Sequence, residues 1–145
     1  KIKIMATTTA TVSISSSDLT PGTSLNINAS TTCMKAGLTT GLEKIEMGKN
    51  ILTTANGTTS LKLATAAGAD GASKVYLCNN ATDDTFYIRL DLHDTIVGRL
   101  YAGDWLFLPW SQNDTANELV IQAFGGSCPY EYAIFKEDET IVAGS

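Results

Sequence analysis

The thirteen residues Gly98–Trp110, reading Gly-Arg-Leu-Tyr-Ala-Gly-Asp-Trp-Leu-Phe-Leu-Pro-Trp, constrain the fold of this chain more than any other stretch. They hold both tryptophans, a tyrosine, a phenylalanine and three leucines, a concentrated share of the apolar area that a core or an interface can use. Tyr101-Ala102-Gly103-Asp104 predicts a turn, because glycine accepts positive φ and aspartate bonds its own backbone. Trp105-Leu106-Phe107-Leu108 then predicts a short strand, apolar on both faces and stopped by Pro109. Such a strand lies between two packed layers, or between a layer and a partner chain. Its residues call for packing and specify no reaction.

A chain of 145 residues is one domain in size and buries about two thirds of its unfolded surface, enough for a core without disulfides or metal. It is 43% hydrophobic and 17% charged, and its polar remainder is mostly Thr, Ser, Asn and Gly, so an all-β fold is expected. The net charge of -5, with no Lys/Arg cluster, gives counterion release nothing to work with, which argues against nucleic acid as a partner. An acidic surface instead favours solubility at high copy number.

Along the chain, Thr7–Ile14 is β-prone but nearly free of large side chains, and must join a sheet edge or lie as an arm on a neighbouring subunit. Ser15–Gly22 is a turn cluster ending in Pro-Gly. Leu25 and Ile27 alternate with polar residues as a half-buried strand, and Ala36–Leu42 is a glycine-punctuated connection. Glu43–Ile51 fits neither a helical nor a strand period, and its surroundings favour strand. Asn56-Gly57 predicts a hairpin leading into Leu61 and Leu63, and Ala64–Ser73 a loop, with one helical turn as an alternative over Ala64–Ala67.

From Lys74 the strands carry large side chains. Val75–Cys78 is one, Asn79–Thr85 is a turn, and Phe86–Leu92 is the cleanest period-two run. His93-Asp94 makes a corner, and Ile96–Leu100 and Trp105–Leu108 flank the Tyr-Ala-Gly-Asp turn. Ser111–Asn117 is a polar loop, followed by strands at Leu119–Ala123 and Tyr130–Phe135. Eight to ten short strands imply a β-sandwich or jelly roll with an extended N-terminal arm. The expected divisions are an arm over 1–20, one sandwich domain over 21–137 and a tail over 138–145.

The sequence offers little chemistry. His93, the only histidine, lies between Asp91 and Asp94, where a polar strand end outweighs a general base. Asp83, Asp84, Asp91, Asp94 and Asp104 sit in predicted turns without calcium-loop spacing, so turn chemistry outweighs a metal site. Gly68–Gly71 lacks the spacing of a phosphate loop, and the four Asn-X-Ser/Thr sites are accounted for by composition. No cofactor or catalytic residue is expected, and the chain is read as non-enzymatic. Cys33, Cys78 and Cys128 are read as small buried hydrophobes, with a bridge from Cys33 or Cys78 to Cys128 as the alternative in an oxidising setting. Lys1–Met5 and the threonines after Ala6 lack the apolar run of a signal peptide, and no later segment is long enough for a membrane span, so neither export by a visible signal nor a membrane partner is expected.

Candidate interface residues are Tyr101, Trp105, Phe107 and Trp110 in the aromatic stretch and Thr7, Thr9, Thr11 and Val12 on the arm. Filling of the sandwich core is the competing role for the aromatic set. Trp110, at a strand end beside Pro109, is expected to be the least buried of the four. Trp105, Trp110 and Tyr101 could alternatively form a stacking platform for sugar, as in a carbohydrate-binding module or tail-tip adhesin.

Three blocks, Lys74–Asn80, Gly98–Ser111 and Tyr130–Glu137, resemble small structural proteins of tailed bacteriophages, especially marine podoviruses. The likeness covers roughly residues 74–137 and, more loosely, Ala6–Leu19. It implies a virion component assembled in the host cytoplasm and placed on the capsid exterior, namely a capsid decoration (cement) protein. Its expected partners are the major capsid protein and further copies of itself, a trimer being favoured, with arms laid across neighbouring capsomers. The three cysteines depart from many such chains.

Overall fold

A computed structural model describes residues 7–34, 41–42, 44–54, 71–112 and 118–137. Within them the chain is all-β, with strands β1 (Thr8–Thr20), β2 (Thr23–Cys33), β3 (Lys44–Leu52), β4 (Gly71–Asn79), β5 (Tyr87–Leu92), β6 (Thr95–Tyr101), β7 (Trp105–Gln112), β8 (Leu119–Phe124) and β9 (Cys128–Lys136). They form a four-stranded sheet in the order β3-β9-β4-β7, a three-stranded sheet in the order β6-β5-β8, and a separate β1-β2 hairpin. Every pairing is antiparallel.

Period-two alternation decides what the two larger sheets bury between them. From the three-stranded sheet come Ile88 and Leu90 on β5, Leu100 on β6, and Leu119, Ile121 and Ala123 on β8. From the other sheet come Leu52 on β3, Val75 and Leu77 on β4, Leu106, Leu108 and Trp110 on β7, and Cys128, Tyr130 and Ile134 on β9. This is a sandwich of two packed sheets, in which each fully buried aliphatic side chain contributes about 1.5–3 kcal/mol.

Two expectations for the aromatic stretch are corrected. Pro109 does not stop the strand: β7 runs on to Gln112, with Pro109 opposite Lys74. It is tolerated because β7 is an edge strand, where a missing backbone donor breaks no ladder on the open side. Since the alternation continues through the proline, Trp110 falls on the same side as Leu106 and Leu108. It is therefore the most buried of the four candidate aromatics, 6% exposed, while Trp105 is 50% exposed. The strand is accordingly not buried on both faces throughout.

The N-terminal segment also differs in detail. β1 continues through Ser15–Asp18 to Thr20, and the reversal is confined to Pro21-Gly22, with Gly22 at φ 82°. The serine-rich part shows as a slip in register between Ser16 and Thr20, where the Ser16 hydroxyl accepts from the Leu19 amide at 3.1 Å and donates to the Asp18 carboxylate at 3.0 Å. All three cysteines are buried free thiols. The Asn56-Gly57 turn with Leu61 and Leu63, the Ala64–Ala67 turn, most of the loops around 36–40 and 113–117, and the tail from 138 lie outside the described residues.

Candidate functional site

The outer face of the four-stranded sheet is built from the residues that alternate with the core. The registers place Lys49, Glu131, Cys78 and Trp105 in one cross-strand row, Met47, Ala133, Tyr76 and Phe107 in the next, and Ile45, Phe135, Lys74 and Pro109 in a third. This face is therefore largely apolar. Phe107 and Phe135 meet edge to face at 6.3 Å. Two polar groupings interrupt it: the Tyr76 hydroxyl donates to Glu131 Oε1 at 3.2 Å while Lys49 Nζ holds Oε2 at 3.0 Å, and Lys74 pairs with Glu137. Burial first, and then the neighbouring Cys78 and Glu131, push the Tyr76 hydroxyl up from 10.0 to about 12. The Lys49 bond holds the Glu131 carboxyl below its ordinary value against a weaker opposing effect of burial.

The hairpin lies over part of this face. Its own registers pair Val12 with Ala29, Ile14 with Ile27 and Ser16 with Leu25, so one side carries Ala10, Val12, Ile14, Leu25, Ile27, Ala29 and Cys33 together with Thr8, Ser16 and Thr31. The other side carries Thr9, Thr11, Ser13, Ser15, Asn26, Asn28, Ser30 and Thr32, with Thr11 and Ser30 hydroxyls 3.1 Å apart. Thr8–Val12 and Cys33 at the hairpin base line a cleft of about 330 Å3 whose floor is Tyr76, Trp105, Phe107 and Phe135. The structure thus brings Trp105 and Phe107 together with Thr9, Thr11 and Val12. Thr7, Thr9 and Thr11 are exposed, whereas Val12 is half-buried.

Tyr101 belongs elsewhere, on the outer face of the three-stranded sheet. There it pairs with Tyr87, which pairs with Phe124, and Arg99, Arg89 and Gln122 form the adjoining row. Tyr87 and Phe124 stack at 5.0 Å and 5°, and Tyr87 meets Tyr101 at 5.3 Å and 48°. The guanidinium of Arg99 lies 4.9 Å from the Tyr87 ring centroid and that of Arg89 lies 5.2 Å from Phe124. Arg89 is held in turn by Asp91 Oδ2, at 2.7 and 3.0 Å. Rings that stack on one another and under guanidinium groups form a rigid Tyr/Arg surface, a composition enriched at protein contacts. Sequence reading missed Tyr87, Phe124, Arg89 and Arg99 because the row is assembled across three strands; the signal available was the alternation of Tyr87, Arg89 and Asp91.

Tyr101, Trp105 and Trp110 therefore occupy an outer face of one sheet, the outer face of the other and the core between them, and share no platform. His93 is an exposed corner at φ 52°, its Nε2 3.1 Å from Asp94 Oδ2 and its amide donating to the Glu118 carbonyl at 2.7 Å. The turn aspartates carry turns: Asp83 accepts from the Thr85 amide and hydroxyl, which lowers its pKa, and Asp104 Oδ2 accepts from the Tyr101 amide. No family model, curated protein or solved structure matches this chain. Among the described residues no helix is long and apolar enough to cross a membrane.

Proposed function

We propose that this chain is a non-enzymatic structural protein of a bacteriophage virion, a capsid decoration protein that binds and stabilises neighbouring major capsid subunits. The observation that carries the reading is the long β1-β2 hairpin, a sheet of its own that overlies the aromatic face only at its base. Both outer edges of the hairpin lack a strand partner among the described residues, so each can extend a sheet of another protein through backbone hydrogen bonds. Trp105, half exposed beside the hairpin base, adds aromatic area to such a contact. Many copies on one particle multiply a modest single-site affinity through avidity. The likeness of the Lys74–Asn80, Gly98–Ser111 and Tyr130–Glu137 blocks to tailed-phage structural proteins supports the same reading, with a trimer on the capsid exterior as its form.

The test is quantitative mass spectrometry of purified particles, together with rebinding of the isolated chain to particles stripped of it. High copy number, and rebinding that fails for a folded Trp105→Ala variant, are the expected results. Absence of the chain from particles would refute the proposal.

A further inference from the structure

We infer that the distal half of the hairpin seats on the β3 stripe of a second copy of this chain, joining the two copies head to tail. The inference stands on geometry and does not require that the chain be a capsid protein. The mainly apolar side of the hairpin, broken by Thr31 near the base and Ser16 near the tip, runs along its length, yet among the described residues only its base has a floor. Ala10, Val12 and Cys33 lie over Tyr76, Phe107 and Phe135, whereas Ile14 and Ile27, cross-strand partners further along the same side, are 48% and 47% exposed.

The matching surface is β3, whose amphipathicity is inverted. Glu46, Gly48 and Asn50 lie on the side of the sheet that faces the core, while Ile45, Met47 and Ile51 point to the outer face and are 51%, 70% and 58% exposed. Of the large apolar residues of β3 only Leu52, at its end, turns to the core; a strand that presents its other three away from its own core leaves a stripe suited to another cover. These three residues, with the Glu131-paired Lys49 between Met47 and Ile51, lie beside Phe135, Ala133 and Pro129 and extend the same outer face, whose Tyr76, Phe107 and Phe135 line the cleft under the hairpin base of the same chain.

The hairpin side and the sheet face thus look at one another across a cleft within one chain, and each has an uncovered remainder. The two remainders are different surfaces, so the contact between copies is heterologous, giving a ring where the rotation between copies closes and an open filament where it does not. A second copy is the occupant because it brings both the overhanging stripe and the exposed row, two surfaces whose inner portions already face one another across the cleft within one chain. The polar side of the hairpin and its strand edges remain open to other proteins.

The experiment uses the full chain and measures mass in solution across a wide range of concentration. The wild type is expected to associate, its mass giving the copy number. Ile14→Asp with Ile27→Asp, and separately Met47→Asp, are expected to abolish association while the circular dichroism of the sandwich is kept. Mixing the two variants restores one intact junction and is expected to yield a heterodimer that grows no further. Because a hairpin variant could lose its local structure, Met47→Cys paired with Ile27→Cys supplies a second readout: an intermolecular disulfide on oxidation. A monomeric wild type, a Met47→Asp protein that still associates, or failure of the mixed variants to pair would each overturn the inference. Loss of particle binding with self-association intact would instead count against the capsid reading alone.

Discussion

The side chain of Asn79, with none of its surface exposed, donates from Nδ2 to the carbonyl oxygen of Leu100 across 2.9 Å, tying the end of β4 to β6 in the opposite sheet. Its Oδ1 accepts from the Ala81 amide at 3.0 Å. Its backbone completes the join: the Asn79 amide donates to the Asp104 carbonyl at 3.0 Å, and the Gly103 amide donates to the Asn79 carbonyl at 2.8 Å. The Asn-rich segment and the Tyr-Ala-Gly-Asp turn, far apart in sequence, are one structural unit.

Asn79→Ala leaves the Leu100 carbonyl and the Ala81 amide without their partner, at about 1–3 kcal/mol for each group left buried and unpaired. The expected result is a lower midpoint in urea with an unchanged slope. A midpoint equal to that of the wild type would show that the tie between the sheets lies elsewhere.

The two tryptophans are expected to behave as opposites. Trp110 fills the core, and Trp110→Ala is expected to cost about 3–5 kcal/mol, whereas Trp105→Ala at the half-exposed site costs under about 1 kcal/mol. Acrylamide is expected to quench the fluorescence of the Trp110→Phe variant, which reports Trp105, far more than that of Trp105→Phe.

Gly126 has no room for a side chain, because a methyl group there would run into the Phe86 ring, and Gly125 beside it holds φ 84°. Gly126→Ala is expected to destabilise by about 1–3 kcal/mol through overpacking. Adding Phe86→Leu should recover part of that loss, so a double-mutant cycle reads the clash directly. Strict additivity would place the cost in the backbone.

Stability is expected to fall at both ends of the pH scale for reasons that meet at Glu131. Unfolded Tyr76 releases its proton near 10.0 and the folded form holds it to about 12, so between these values the native state binds more protons and loses stability as pH rises. The Glu131 carboxyl, lowered by Lys49, acts in the other direction: unfolded chains take up protons first as pH falls through the ordinary carboxylate range, and the fold weakens there. Tyr76→Phe should flatten the alkaline limb and Lys49→Ala the acid limb in denaturation curves collected against pH.

What was legible in the sequence was local. Strand β5 could be read because Ile88 and Leu90, both buried, alternate with Tyr87 and Arg89, both half-buried; the alternation breaks at its end, where Asp91 is buried and Leu92 exposed. Trp110 was misplaced because a proline read in isolation ends a strand, whereas a proline on an edge leaves the alternation running. The threonines of β1 showed a strand but not its partner, which the Pro21-Gly22 reversal supplies directly. β3 resisted assignment because Ile45, Met47 and Ile51 face away from the core and, of its large apolar residues, only Leu52, at its end, faces it. The Tyr101, Tyr87 and Phe124 row is a product of register across three strands, which no linear pattern contains.

Pro109 stands on β7, where the four-stranded sheet ends. A continuous run of open backbone donors and acceptors is a template on which strand after strand from other molecules can add, the route to fibres. A residue without an amide hydrogen interrupts that template, so crowded copies of this protein can lie side by side at this margin without their sheets fusing.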